Sequence, residues 1–403
     1  MTAPWLHVIG ISDGGLDTLT PEARHALDGA EIVFGGERHL AMLGNHPARR
    51  ISWRSPFAES AADILAARGT PAAVLATGDP SWFGPVRWLR TFLDAGEMRV
   101  LPAPSAFSLA AARMGWALET VRCLTVHGRA VETVNPHVAP GARLLVLSED
   151  GASPALVADL LRRRGYGASR ITVLEHMGGA AERVREGEAE GFALEGIAAL
   201  NTLVVDCRAD EGTPHHPFAT GLPDDAFRHD GKMTKRVPRA LALAALAPGA
   251  GELLWDVGAG SGSICVEWLR AAPGARAVAI EPIAERRAMI AENAFRLGTH
   301  GLRIVEGRAP AAFADLPAPD AVFIGGGLTD GVFHAAFAAL KPGGRLVAHA
   351  VTLESEAILL ALHEVHGGEL LRVAVSHAEP VGPYRGWRPA MPVTHWSLRK
   401  VRL

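Results

Sequence analysis

Residues 253–262 read Leu-Leu-Trp-Asp-Val-Gly-Ala-Gly-Ser-Gly, an apolar strand that runs straight into alternating glycines. Gly258, Gly260 and Gly262 let the backbone turn tightly and let a ligand approach the amides of the helix start, because glycine tolerates left-handed backbone and has no side chain in the way. Ser263–Leu269 then has helical spacing. A dinucleotide fingerprint would place its third glycine at 263, where this chain has Ser263. G-x-G-x-G, followed 19 residues after Gly262 by an acid that ends the apolar run Ala277–Glu281, suits S-adenosylmethionine (SAM) better. The loop (Gly258, Ala259, Gly260, Ser261, Gly262) would cradle the methionine part beside Asp256, and the Glu281 carboxylate would hold the ribose hydroxyls. A tight strand–helix turn with no ligand is the alternative.

A chain of 403 residues is long enough for two or three domains. Its 48% hydrophobic and 21% charged residues are ordinary for globular cores. Lys plus Arg number 40 against 43 Asp plus Glu, a balance that argues against nucleic acid as the main partner. The tight basic run Arg162-Arg163-Arg164 ends a predicted helix, where cations complement the dipole. Cys123, Cys207 and Cys265 are far apart, so neither a disulfide framework nor a zinc cluster is expected, and a reducing compartment fits. The start lacks the basic flank and apolar stretch of a signal peptide, and no apolar run approaches a membrane span. The expectation is a cytoplasmic protein without membrane, metal or nucleic acid.

Two α/β halves follow one another. In the first, strands are expected at Leu6–Gly10, Glu31–Phe34, Ala72–Ala76 and Met98–Leu101. Thr20 caps a helix that has Pro21 at its first position, and Ser105 caps another that runs through Met114. Cys123–Val126, Arg143–Leu147, Ile171–Leu174 and Thr202–Asp206 continue the half, which reads as a domain over 1–208 with lobes at about 1–118 and 119–208. A cleft between lobes is a common ligand site. Residues 209–231 are rich in Pro, Gly, Asp and His and read as a linker; the adjacent His215 and His216 are expected to face solvent. The second domain, 232–403, opens with a helix at about Thr234–Ala247. Its buried strands are expected at 253–257, Ala277–Glu281, Leu302–Glu306, Asp320–Ile324 and Arg345–Ala350, with terminal candidates at Arg372–Ser376 and Val393–Leu398. Seven strands with a closing hairpin is a Rossmann-like SAM-binding layout.

The order of motifs resembles the family of bifunctional precorrin-6Y C(5,15)-methyltransferases (decarboxylating) of cobalamin biosynthesis. The first half is similar to tetrapyrrole (corrin/porphyrin) methylases through V-I-G-I-S-D-G-G-L-D-T-L-T (8–20), F-G-G-E-R-H-L (34–40), L-A-T-G-D-P (75–80) and V-H-G-R (126–129). The second half is similar to the decarboxylating partner through M-T-K-R (233–236), D-V-G-A-G-S-G (256–262), P-D-A-V-F-I-G-G-G (319–327) and L-K-P-G-G-R-L-V-A-H-A-V-T-L-E (340–354). The resemblance implies an α/β chain with a two-lobed tetrapyrrole methylase fold followed by a class I methyltransferase sheet, and two SAM sites. The first half would methylate meso carbon 5 of precorrin-6B. The second would methylate carbon 15 and decarboxylate the ring C acetate, giving precorrin-8X. A homo-oligomer, dimer or tetramer, is implied by analogy. Thr234 would lie over the cofactor, and Gly307 and Ala309 would meet its adenine. Gly307-Arg308-Ala309-Pro310 stands where the family has G-D-A-P; arginine can only donate, so the expected contact is the Ala309 backbone. His349 stands where asparagine is expected.

The chemistry calls for no activated Ser, Cys or Lys, since a reduced meso carbon is already enamine-like and holding it about 3 Å from the methyl donor is the main task. No catalytic acid or base is assigned from sequence. Desolvation of the reacting carboxylate would favour loss of carbon dioxide. The carboxylate-rich substrate calls for cations; Lys235, Arg236, Arg385 and Arg388 are the candidates, with ordinary exposed cations as the alternative. Gly78, Asp79 and Pro80 are expected at the first-half cleft, with a plain β-turn as the rival. Ser105 and Ala106 would reach SAM through backbone amides. His127 and Arg129 end a strand near the lobe junction, where a buried, hydrogen-bonded histidine and a functional one fit equally. Two other readings are an RNA methyltransferase, against which F-I-G-G-G replaces an N-P-P-Y type motif, and a non-catalytic SAM-binding scaffold.

Overall fold

Parallel apolar runs build the first sheet. A computed structural model describes residues 4–401 apart from 215, 217 and 218, so His215 lies outside the described residues. The chain divides into two units, Met1–Thr213 and Pro214–Leu403. In the first unit β1 (Leu6–Ile11), β2 (Ile32–Gly35), β3 (Arg49–Ser52), β4 (Ala72–Thr77) and β5 (Met98–Leu101) lie parallel in the order β3-β2-β4-β1-β5. Both faces are covered, which is why the central strands read as unbroken apolar runs. Ile9, Ile11 and Leu75 pack on Ala23 and Leu27, while Val8, Val74 and Phe34 pack on Ile64 and Leu89. Thr20 caps the helix Pro21–Asp28 by accepting from Ala23 N at 3.2 Å.

The second sheet holds β6 (Arg122–Thr125), β7 (Arg143–Leu147), β8 (Arg170–Glu175), β9 (Arg183–Glu188) and β10 (Asn201–Asp206) in the order β6-β7-β10-β8-β9. β6 and β7 are parallel and the remaining pairs antiparallel. The helix Ala106–Met114 carries the chain from one lobe to the other. Ser105 caps it through Ser108 N at 3.0 Å, and Phe107, Ala110 and Ala111 bury against Leu145, Leu174 and Val204 of the second sheet.

In the second unit β11 (Leu253–Val257), β12 (Arg276–Ile280), β13 (Leu302–Val305), β14 (Ala321–Ile324), β15 (Arg345–Ala350), β16 (Glu369–Val373) and β19 (Val393–Arg399) form one seven-stranded sheet, ordered β13-β12-β11-β14-β15-β19-β16. β19 alone runs against the others, antiparallel to both β15 and β16. Alternate residues serve opposite faces: Trp255, Val257 and Ile280 join Phe333 and Trp396, while Leu254, Ala277 and Ala279 join Leu243, Ile264 and Trp268. β17 (Ser376–Val381) and β18 (Tyr384–Pro389) pair only with each other. The expected strand Arg372–Ser376 is therefore divided between β16 and β17, and the Gly- and Pro-containing stretch after it is an exposed ribbon.

The stretch 209–231 divides as well. Asp210 accepts from Gly167 N at 3.0 Å and Ala168 N at 2.9 Å, so 210–213 folds onto the first unit. Leu222, Ala226 and Phe227 bury beside Val266 and Leu297 of the second. There the wholly buried Arg239 binds Glu267 at 2.6 Å, Asp224 at 3.0 Å and the Leu222 carbonyl. It comes from the helix Arg236–Leu246, which ends where Ala247 takes a φ of 46°.

Candidate active sites in the two halves

The first cleft forms where the loops after β1, β4 and β5 converge at the carboxyl ends of parallel strands, facing the end of β8. Gly10 has no room for a Cβ, which would strike the Gly78 carbonyl, and Gly78 itself has a φ of 65° and would press a Cβ to 3.0 Å from Ser105 Cα. Two glycines thus hold the three loops together. Ser12, Asp13, Thr77, Gly78 and Ala106 line the cleft from the first lobe; His176, Asn201 and Thr202 line it from the second. Of the residues expected there, Gly78 and Ala106 are at the wall. Asp79 turns inward on its own loop and accepts from Ser81 N at 2.9 Å and Ser81 Oγ at 2.6 Å, and the Pro80 carbonyl accepts from Val86 N. The loop thus caps itself through Asp79. Ser105 is buried and caps its helix. His127 is exposed, with Nδ1 at 3.3 Å from Glu149, so the buried alternative for it is not what the fold builds. Arg129 lies over the Phe83 ring at 5.3 Å.

An ion network that the motifs did not single out lines this cleft. Asp13 takes Arg38 Nη1 on Oδ1 at 2.8 Å and meets His176 Nδ1 through Oδ2 at 2.9 Å. Arg38 Nη2 also reaches Thr77 Oγ1 at 2.7 Å and His39 Nε2 at 2.9 Å. Asp13, Arg38 and His39 lie within the motifs at 8–20 and 34–40; the sequence signal for His176 is an apolar run, Ile171–Leu174, followed by Glu-His.

The second site is the glycine loop. All three glycines have left-handed φ, 69°, 59° and 75°. A Cβ would lie 2.7 Å from the Gly326 carbonyl at Gly258, 3.0 Å from the Lys232 carbonyl at Gly260 and 2.9 Å from Ile290 Cγ2 at Gly262. The loop is therefore hemmed by Gly325-Gly326-Gly327 after β14 on one side and by the segment leading to Thr234, Lys235 and Arg236 on another. The Glu281 carboxylate, 2% exposed, accepts from Gly260 N at 2.9 Å and Ile283 N at 3.1 Å. Among the described residues no hydrogen-bond partner meets the buried Ser261 hydroxyl. A bare-backbone cradle, an adjacent carboxylate and an unmatched hydroxyl fit an adenosyl amino acid.

Asp256 sits beneath this loop and is wholly buried. Its Oδ2 accepts the Cys265 thiol at 3.3 Å, and burial pushes the carboxyl up to about 7. Gly307 has a φ of 142° and leads into Arg308, whose carbonyl accepts Ala312 N at 3.0 Å; Ala309 packs on the core while the Arg308 side chain is exposed. Thr234 is half-buried, and Lys235 and Arg236 are exposed at the helix start. Arg385 and Arg388 lie on the β17–β18 ribbon, where Arg388 pairs with Glu379 at 3.1 Å. The backbone two residues before Thr234 passes the glycine loop at the Lys232 carbonyl, and Arg236 Nε faces Gly221. His349 is buried, with Nε2 2.9 Å from His395 Nδ1.

Comparison with known proteins settles the family. Residues 6–193 match the tetrapyrrole (corrin/porphyrin) methylases, and 225–400 match the precorrin methyltransferase domain. A precorrin-6Y C(5,15)-methyltransferase [decarboxylating] of Sinorhizobium sp is 50% identical over 99% of this chain and 97% of its own. The chain belongs to the precorrin-6Y C(5,15)-methyltransferase (decarboxylating) family. A member with the same name from Mycobacterium tuberculosis (strain CDC 1551 / Oshkosh) is 41% identical over 98% of this chain and 99% of its own. The cobalt-precorrin-6B C(15)-methyltransferase (decarboxylating) of Salmonella typhi is 34% identical over 40% of this chain and 85% of its own. Members of the precorrin-6Y methyltransferase family are SAM-dependent, and this chain is a SAM-dependent methyltransferase with a tetrapyrrole methylase domain first and a precorrin methyltransferase domain second.

Proposed function

We propose that this chain converts precorrin-6B to precorrin-8X with two SAM sites, one in each half. The first half (1–208) methylates carbon 5; the second (232–403) methylates carbon 15 and decarboxylates the ring C acetate. The observation that carries this reading is 50% identity along nearly the whole length to a decarboxylating C(5,15)-methyltransferase. A shorter relative named for carbon 15 and decarboxylation, matching only 40% of the chain, supports placing both of those steps in one half. The same names favour this reading over RNA modification or a scaffold. A cytoplasmic homo-oligomer, dimer or tetramer, that needs neither metal nor nucleic acid belongs to the same reading. Its three free cysteines suit a reducing compartment, and no described helix is long and apolar enough to cross a membrane.

SAM supplies an electrophilic methyl group on sulfur. In the second half the Gly258–Gly262 amides would hold its amino-acid end and Glu281 its ribose, while Thr234 covers the loop and Gly307 and Ala309 lie at the adenine end. Lys235 and Arg236 would pair with substrate carboxylates that are not to be lost. In the first half Gly78 and Ala106 lie at the cleft wall, and the turn Gly78-Asp79-Pro80 with Ser105 would hold their backbone toward SAM. Incubation with [methyl-13C]SAM and precorrin-6B is expected to place label on carbons 5 and 15 and to release carbon dioxide. Unchanged substrate would overturn the reading.

Replacing Glu281 by glutamine removes a charge from the donor site without changing its size. Hydrogen bonds to charged groups are worth about 1.5–3 kcal/mol, so S-adenosylhomocysteine should bind the second site roughly 10- to 100-fold more weakly. Calorimetry of the full chain should show one weakened site and one intact. Two unaltered sites would remove Glu281 from the role.

A further inference from the structure

We infer that His176, held by Asp13, is the base that takes the proton from carbon 5 during methylation in the first half. This rests on the proposed activity. The meso carbon carries a hydrogen that its new methyl group replaces. The carbon's π pair forms the C–C bond, the C–S bond pair stays on sulfur, and the C–H bond pair returns to the macrocycle's π system as the proton leaves. Something in the cleft must receive that proton, and among the described residues lining it the titratable side chains are Asp13 and His176.

Asp13 is committed on both oxygens, to Arg38 and to His176. His39 is excluded by its bonding. Arg38 can only donate, so the His39 Nε2 that meets Arg38 at 2.9 Å is an acceptor and bears no hydrogen. Burial, with Arg38 beside it, lowers His39 to about 4. His176 differs. Its Nδ1 faces Asp13 at 2.9 Å, which fixes the tautomer with hydrogen on Nδ1 and leaves Nε2 as the basic nitrogen; its side chain is 31% exposed. A carboxylate that orients an imidazole and stabilises its cation is the arrangement general bases use.

The backbone is built around the contact. His176 has a φ of 50°, unusual for a residue with a side chain. Its loop is fixed by His176 N to the Leu200 carbonyl and by Glu182 Oε2, which accepts from Gly178 N at 2.7 Å and binds Arg113. At Gly179 a Cβ would stand 2.5 Å from Asp13 Oδ2, so glycine there lets the two lobes meet. A substrate-carboxylate clamp fits less well, because Arg38 already serves Asp13, Thr77 and His39 and the Asp13 charge opposes a second anion.

The test is His176→Asn in the full chain; asparagine tolerates left-handed backbone and keeps a donor for Asp13. With [methyl-13C]SAM and precorrin-6B, the rate of label entry at carbon 5 should fall about 100-fold, within the usual range for a lost base. The wild-type carbon 5 rate should decline at acid pH through one ionisation, a limb the variant lacks. The charged neighbours that shape that limb are Asp13, Arg38, Glu182 with Arg113, and Glu175 with Arg183. Affinity for S-adenosylhomocysteine, read by calorimetry, should not change. Asp13→Asn is the second variant, expected to lose about 10-fold and to shift the acid limb. A carbon 5 rate within threefold of wild type in either variant, or an acid limb that persists in His176→Asn, overturns the inference. A wild-type enzyme that never labels carbon 5 would instead fell the proposed function, and this inference with it.

Discussion

Replacing Arg239 by alanine should destabilise the second unit by about 3–5 kcal/mol, the usual cost of breaking a buried ion pair from one side. The guanidinium is fully buried and touches two carboxylates, two carbonyls and the face of Phe227, whose ring centre lies 4.7 Å away. Its removal strands Glu267, itself 1% exposed, on the amides of Gly221 and Leu222. Hydrogen exchange should accelerate first in 221–227 and in the helix Arg236–Leu246. Adding Glu267→Gln should recover part of the loss, because the remaining unpaired carboxylate, Asp224, is partly exposed. A destabilisation below about 1 kcal/mol would mean that water or another cation reaches Glu267.

The buried histidine pair should make the second unit sensitive to acid. Burial, with His395 adding repulsion, takes His349 down to about 3; burial also lowers His395, although Glu369 opposes it. Unfolded histidine titrates near 6.5. Below that value the unfolded chain binds a proton that the folded chain refuses, so stability is full above about 6.5 and declines as pH falls toward about 3. The slope for His349 is on the order of 1.4 kcal/mol per pH unit, or roughly 2 kcal/mol between pH 7 and 5. His349→Asn keeps a hydrogen-bonding partner for His395 and removes one titrating ring, so its unfolding midpoint in urea should fall less over that interval. Equal falls in both proteins would mean that the pair is hydrated or already charged.

Much of this fold is visible in the chain because buried parallel strands cannot hide. Ala72–Ala76 is apolar on both faces, and Leu253–Val257 is so but for Asp256. The edge strands Arg49–Ser52 and Arg183–Glu188 escape the same reasoning: one face or both meets water, and charged residues occupy them. The β17–β18 ribbon escapes for the same reason, since Tyr384 and Trp387 are more than three-quarters exposed. The glycine loop is legible because its left-handed backbone admits few residues but glycine. The Asp13–His176 contact is not, because its partners stand 163 positions apart and only the helix Ala106–Met114, bridging two sheets, brings them together. Asp79 illustrates the converse. A conspicuous Gly-Asp-Pro can owe its aspartate to the turn itself.

Within the 209–231 stretch, 210–213 is fastened to the first unit and 221–227 to the second. A protease or a gene split acting between Thr213 and Pro214 would therefore leave both of these fastenings whole. Thr213 would keep its bond to the Gly165 carbonyl, and Leu222 its seat on Glu267. The chain can thus be cut or joined at this seam with each flank still anchored to its own unit.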